Sequence, residues 1–168
     1  MRYLYLLRHA KSLWSDPTVV DFDRPLSDRG QRDAKKMSVY LKRNGVQLDL
    51  VLCSSSRRTT ETFQAIAPAL GPAKAVMIED TLYTFDVNHI LQRLSEVSAN
   101  TKSVMVIGHN PGIQALAVLL TRPSSLKSQI SLKYPTAALT VVTLENKSWD
   151  LSKPVISRTE FIAPTDLG

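Results

Sequence analysis

The 168 residues are enough for one domain, taken as 1–168, and 43% hydrophobic with 21% charged residues exclude a disordered or fibrous chain. A single cysteine, Cys53, rules out an intramolecular disulfide. No run approaches the ~20 apolar residues of a membrane span, so a cytoplasmic protein with no membrane association is expected. The net charge of +6 comes from Lys and Arg scattered along the chain, and on charge alone no nucleic-acid partner is expected.

In chain order, Tyr3–Leu7 is an apolar run suited to a buried strand. A polar, irregular stretch follows to Pro25. The spacing of Ala34, Met37 and Leu41 predicts a helix over 28–44, stopped by Gly45. Leu50–Cys53 reads as a second buried strand. Ser54–Ser56 offer caps for a helix carrying Phe63, Ile66, Ala67 and Leu70, with Pro68 kinking or detaching its last turn. Lys74–Ile78 is a third strand candidate, and Asp86 caps a helix carrying Val87, Ile90, Leu91 and Leu94. Ser103–Ile107 is a fourth strand, followed by a helix capped by Asn110 with Pro111 at its first position. Ala138–Leu144 and Val155–Ile162 read as a closing hairpin.

Strands alternating with helices predict an α/β fold: a three-layer sandwich with a largely parallel central sheet flanked by helices. In such sheets ligands bind beyond the carboxyl ends of the strands. The first strand runs into Arg8-His9-Ala10-Lys11-Ser12, the second into Ser54-Ser-Ser-Arg57-Arg58-Thr59-Thr60-Glu61-Thr62, and the fourth into Gly108-His109-Asn110-Pro111-Gly112. Singly, the first two are better read as an ordinary polar loop and a capped helix with surface arginines, and the third is equally a capping turn. Together they bring two of three histidines and two arginines to one rim. Such a set can surround a phosphoryl group, with His9 attacking phosphorus in line to form a phosphohistidine that water later hydrolyses. Arginines beside the histidines would repel a divalent metal, so no metal and no cofactor is expected; Asp21 and Asp23 match no dedicated ligand spacing. Cys53 ends a buried run and is read as core.

These residues resemble the histidine phosphatase superfamily. Its Arg-His-Gly opening appears as Arg8-His9-Ala10, with Ser12 at a position often Ser. Its Ser-x-x-x-Arg stretch puts Arg58, not Arg57, in the key role, and its later Gly-His is Gly108-His109. Arg24-Pro25-Leu26-Ser27-Asp28-Arg29-Gly30 is similar to the family's Leu-Thr-x-x-Gly segment and is read as support for the fold. The resemblance implies a phosphoglycerate-mutase-like fold, His9 as nucleophile, and Arg8, Arg58, His109 and Ser12 around the phosphate. Short length and the Arg-Pro-Leu-Ser element look most like the SixA branch, implying a phosphohistidine phosphatase acting on a phosphorylated protein. The alternatives are a phosphomonoesterase for a small phosphorylated metabolite, such as a sugar phosphate, and a binding module without turnover.

The sequence selects no general acid. The family's glutamate position is matched by Thr84, and Glu79, Asp80 and Asp86 are nearby without a spacing that favours one. A site lacking an acid suits phosphoramidates better than alkyl phosphates, because an alkoxide needs a proton as it departs. His89, in the helix after Asp86, is read as a surface residue.

Overall fold

Alternating burial along β1 (Arg2–Arg8) sets the plan of the molecule, which the computed structural model describes for residues 1–168. Leu4 and Leu6 face one side of the sheet and Tyr5 and Leu7 the other, as the two-residue period of a strand requires. β1 pairs in parallel with β4 (Ser103–Gly108) and antiparallel with β5 (Leu139–Leu144). β2 (Leu50–Ser54), β3 (Ala75–Glu79) and β6 (Ile156–Ile162) complete a six-stranded sheet in the order β3-β2-β4-β1-β5-β6. Only β5 runs against the rest.

Helices cover both faces. On one side α1 (Asp28–Arg43) and α2 (Arg57–Ile66) contribute Met37, Leu41 and Ile66 to a core with Leu7, Val51, Cys53, Met105 and Ile107. On the other, α3 (Val87–Ser95), α4 (Gly112–Leu119) and α5 (Ser125–Leu132) pack Ile90, Leu94, Ile113, Leu116 and Ile130 against Leu4, Leu6, Leu52, Val104 and Val106. β2 and β4 are buried on both faces, which is why they read as unbroken apolar runs. No helix is long and apolar enough to cross a membrane.

Side chains fix the helix starts: Ser27 accepts from the Gly30 amide, Ser56 from Thr59 and Asp86 from Asn88. Gly45 ends α1 at φ +62°, a conformation that favours glycine. The turn around Pro68 separates from α2 as a short 3-10 helix, Ala67–Ala69. At Gly30 a Cβ would lie 2.0 Å from the Lys11 carbonyl oxygen, so only glycine lets α1 press against the chain leaving β1. That contact holds the segment carrying His9 in place.

Two expectations need correction. α4 begins at Gly112, one residue later than expected, with Pro111 outside it; the Asn110 side chain accepts from the Gln114 amide and donates to the Tyr134 carbonyl. α5 has no counterpart in the sequence reading, because Ser125–Leu132 buries a single residue, Ile130, and so carries little apolar periodicity.

Candidate active site

β1, β4 and β2 are neighbours, and the residues that follow them meet at the carboxyl edge of the sheet. The His9 amide donates to the Gly108 carbonyl, which locks the two loop starts together. α2 then presents one residue per turn to this edge. The Ser54 hydroxyl contacts His109 Nε2 at 2.8 Å, Arg58 Nη2 donates to His109 Nδ1 at 3.3 Å, and Thr62 Oγ1 accepts the Ala10 amide at 3.0 Å. Arg58 and Thr62 lie one helical turn apart on α2 and so point the same way, while Ser54 is delivered by the end of β2. Ala10 keeps a negative φ and is fully buried, so the tight turn after His9 does not need glycine.

The hydrogen bonds decide the state of both imidazoles. His9 Nδ1 lies 2.7 Å from the Ala10 carbonyl oxygen, which can only accept, so Nδ1 carries the proton and Nε2 the lone pair. Arg58 can only donate, so His109 Nδ1 is the acceptor and its Nε2–H points to Ser54. Burial, with the charges of His109, Arg58 and Arg8, pushes His9 down to about 3. Burial and Arg58 push His109 down to about 3 as well. Both rings are therefore neutral at pH 7, with centroids 5.3 Å apart.

Arg8, His9, Ser12, Arg58 and His109 all line one cavity of about 280 Å³. Arg8 is anchored by Nη1 donating to the Tyr134 carbonyl at 2.8 Å, and Arg58 by Nη1 donating to the Asp21 carbonyl at 2.8 Å. The Nε atoms of both arginines are buried and have no hydrogen-bond partner. Buried guanidinium N–H groups without partners are rare, and finding one on each of two arginines that line the same cavity suits an anion as the missing acceptor. The Ser12 hydroxyl oxygen accepts from Arg24 Nη1 at 2.6 Å and keeps its own proton free to donate.

Sequence reasoning missed three residues here. Arg24, read as support for the fold, is buried and lines the cavity. Asp21 also lines it, with its carboxylate paired to Arg58 at 3.1 Å and Arg24 at 2.9 Å. The Tyr83 hydroxyl donates to the same carboxylate. Burial alone would raise Asp21, but Tyr83, Arg24 and Arg58 together hold it down to about 2. An aspartate and an arginine three residues apart in a loop gave no periodic signal, and only the approach of α2 reveals their partner.

The three acids considered from sequence are engaged elsewhere, and none lines the cavity. Glu79 pairs with Arg93 at 2.6 Å, Asp80 accepts from the Ser55 hydroxyl at 2.5 Å, and Asp86 caps α3. Arg57 points outward to Glu61, while Arg58 is buried. Cys53 is buried in the core and pushed up to about 12 by burial. His89 is exposed and bonds Thr84. No group of three or more His, Cys, Asp or Glu side chains is placed to hold a metal ion.

Residues 4–89 match the histidine phosphatase superfamily, branch 1. This chain belongs to that superfamily. A structure of SixA from Agrobacterium tumefaciens, assigned as a phosphohistidine phosphatase, superposes with a TM-score of 0.80 at 27% identity, covering 97% of this chain and 98% of its own. A second SixA assignment, from Nakamurella multipartitia, gives a TM-score of 0.77 at 29% identity, covering 95% of each chain. An uncharacterised protein of Mycobacterium tuberculosis is 30% identical over 162 residues, covering 94% of this chain and 99% of its own. The superfamily's phosphoglycerate-mutase-like fold accounts for the sheet order and the two helical layers described above.

Proposed function

We propose that this protein is a metal-independent phosphatase that removes phosphate from phosphohistidine in a protein, working through a phosphorylated His9. One observation carries the reading: a buried, neutral imidazole whose proton is fixed on Nδ1 lines the same cavity as two arginines that each carry a buried, unpartnered Nε–H. A lone pair held on Nε2 is what in-line attack on phosphorus requires. Arg8, Arg58 and the Ser12 hydroxyl supply donors to the phosphoryl oxygens, and His109 joins them once a dianion raises its affinity for a second proton. The positive charge that a metal supplies in other phosphatases is provided here by arginine.

The chemistry runs in two displacements. His9 Nε2 forms a bond to phosphorus as the bond to the leaving nitrogen breaks, and that nitrogen leaves with the electron pair. A substrate imidazole protonated by solvent on its other nitrogen departs neutral. Water then attacks the phosphorylated His9, releasing inorganic phosphate and restoring the ring.

Asp21 favours nitrogen leaving groups over alkoxides. It is the carboxylate that lines the cavity, and at about 2 it holds no proton to give near neutrality. An alkyl phosphate would need that proton; a protonated phosphohistidine does not. This observation weighs against the sugar-phosphate reading.

The test is turnover of a phosphohistidine peptide with mass spectrometry of the enzyme quenched in alkali. Expected are release of phosphate, an acid-labile phosphoryl group on His9, and loss of both in His9→Ala, with no change on adding a chelator. Activity persisting in His9→Ala, or faster turnover of an alkyl phosphate, would reject the reading.

A further inference from the structure

The cavity is larger than a phosphoryl group requires, and two of its lining residues have no role in holding phosphate. Trp14 and Phe85 line it while remaining 69% and 52% exposed. Neither belongs to a core cluster. Large aromatic rings left in water beside a charged cavity are the informative exception to burial of apolar surface.

Both rings are held in place. The Trp14 indole stacks on Arg24, whose Cζ lies 3.4 Å from the ring centroid. Arg24 is itself buried and fixed by the Ser12 hydroxyl and the Asp21 carboxylate. The indole thus has one face seated on an anchored cation and substantial surface left open. Phe85 stands on the His109 side, edge-on to that ring at 5.7 Å and to Tyr83 at 6.2 Å. Its carbonyl abuts the start of α4, where a Cβ at Gly112 would come within 3.2 Å of it. The absence of a side chain at Gly112 is what lets the Phe85 segment close on His109.

We infer that Trp14 and Phe85 form the leaving-group subsite, selecting a planar heteroaromatic ring, the imidazole of phosphohistidine, by stacking against it. The inference rests on the proposed function and adds how the site separates a ring from other nitrogen leaving groups. The phosphoryl group is held by the arginines and His109 whatever it is attached to. The ring beyond the scissile bond extends to the cavity mouth, where flat aromatic surface is available and hydrogen-bond donors would gain little over water. Preorganised aromatic walls order the substrate ring with little rotamer entropy to lose.

The experiment compares two phosphoramidate-type substrates that share a phosphorus–nitrogen bond: phosphoimidazole, which carries the ring, and phosphoramidate, which carries only ammonia. In Trp14→Ala and Phe85→Ala the ratio of kcat/KM for phosphoimidazole to that for phosphoramidate is expected to fall about 10-fold, the scale of one aromatic pair. Trp14→Phe and Phe85→Tyr are expected to keep the ratio within about twofold of wild type. An unchanged ratio in both alanine variants, or an equal loss with the conservative ones, overturns the subsite. A wild-type enzyme that hydrolyses neither compound but turns over alkyl phosphates overturns the proposed function instead. A binding measurement separates the two further: imidazole added with vanadate should quench the fluorescence of exposed Trp14, leave buried Trp149 unaffected, and lose its effect in Trp14→Phe. Quenching that persists in Trp14→Phe counts against the subsite.

Discussion

Asp21 grips Arg58 twice, accepting Nη1 on its backbone carbonyl at 2.8 Å and Nη2 on its carboxylate at 3.1 Å. The buried guanidinium is thereby held fixed in the cavity wall, and a negative charge is set at the same cavity's lining. Replacing Asp21 with Asn keeps the backbone contact and removes the charge. Arg58 and Arg24 lose an ionic tether, while the cavity gains net positive charge. Asp21→Asn should therefore lower kcat about 10-fold through looser positioning and strengthen product inhibition by phosphate several-fold. The effect on inhibition is moderated by solvent, because the carboxylate is 43% exposed. Steady-state kinetics with added phosphate measures both, and weaker phosphate inhibition would contradict the argument.

The neighbours Arg57 and Arg58 provide an internal control. Arg58 is buried beside His109, whereas Arg57 makes an exposed pair with Glu61 one helical turn away. Losing a donor to the transition state costs about 3 kcal/mol in comparable oxyanion sites, so Arg58→Ala should reduce kcat/KM by more than 100-fold. Arg57→Ala removes a surface ion pair worth under about 1 kcal/mol and should leave activity within twofold. Equal losses in the two variants would mean that the sequence motif had been aligned to the wrong arginine.

How much of this was legible beforehand depends on whether a residue's partner is local. Met37, Leu41, Ile90 and Leu116 follow a helical period, and β2 and β4 are unbroken apolar runs, so their elements could be read directly. Gly108 ends β4 and His109 follows it, so both could be placed on the sheet rim by the same logic. Asp21, Arg24 and Tyr83 could not, since their meaning comes from α2 and β1 arriving beside them from far along the chain. Tyr134 is similar: its carbonyl orients Arg8 and Asn110, yet it follows α5, whose weak amphipathicity hid the whole segment.

Both active-site imidazoles are neutral because they are buried, and this has a cost at low pH. In the unfolded chain each takes a proton near 6.5, whereas in the folded protein it does so only near 3. Between those values the unfolded state binds more protons, so stability rises with pH and is lost as pH falls from about 6.5 toward 3. Asp21, held at about 2, adds a loss of the same sign below its ordinary range near 4. The slope should be about 1.4 kcal/mol per pH unit for each imidazole. Urea unfolding at pH 7, 6, 5 and 4 measures it, and the double variant His9→Gln, His109→Gln should be markedly flatter between 5 and 6. A wild type equally stable at pH 7 and 4 would show that the rings are not held neutral.

Anion binding should reverse that state at one of the two rings. His109 Nδ1 accepts from Arg58 and its Nε2–H is committed to Ser54, so the free ring presents no proton to a phosphoryl oxygen. A dianion in the cavity favours the imidazolium, whose Nδ1–H can then donate to it. His9 faces a different demand, because protonation would abolish its lone pair. Tungstate, a dianion near neutrality that does not itself titrate there, should bind with proton uptake that grows as the pH falls from 7.5 toward 6. Calorimetry in buffers of differing ionisation enthalpy reads that uptake. His109→Gln should bind tungstate at least 10-fold more weakly, since a charge-assisted hydrogen bond is lost, and should take up almost no proton. His9→Gln should retain the uptake, which assigns the proton to His109. Binding without uptake in the wild type would mean that His109 stays neutral and that the arginines carry the phosphate alone.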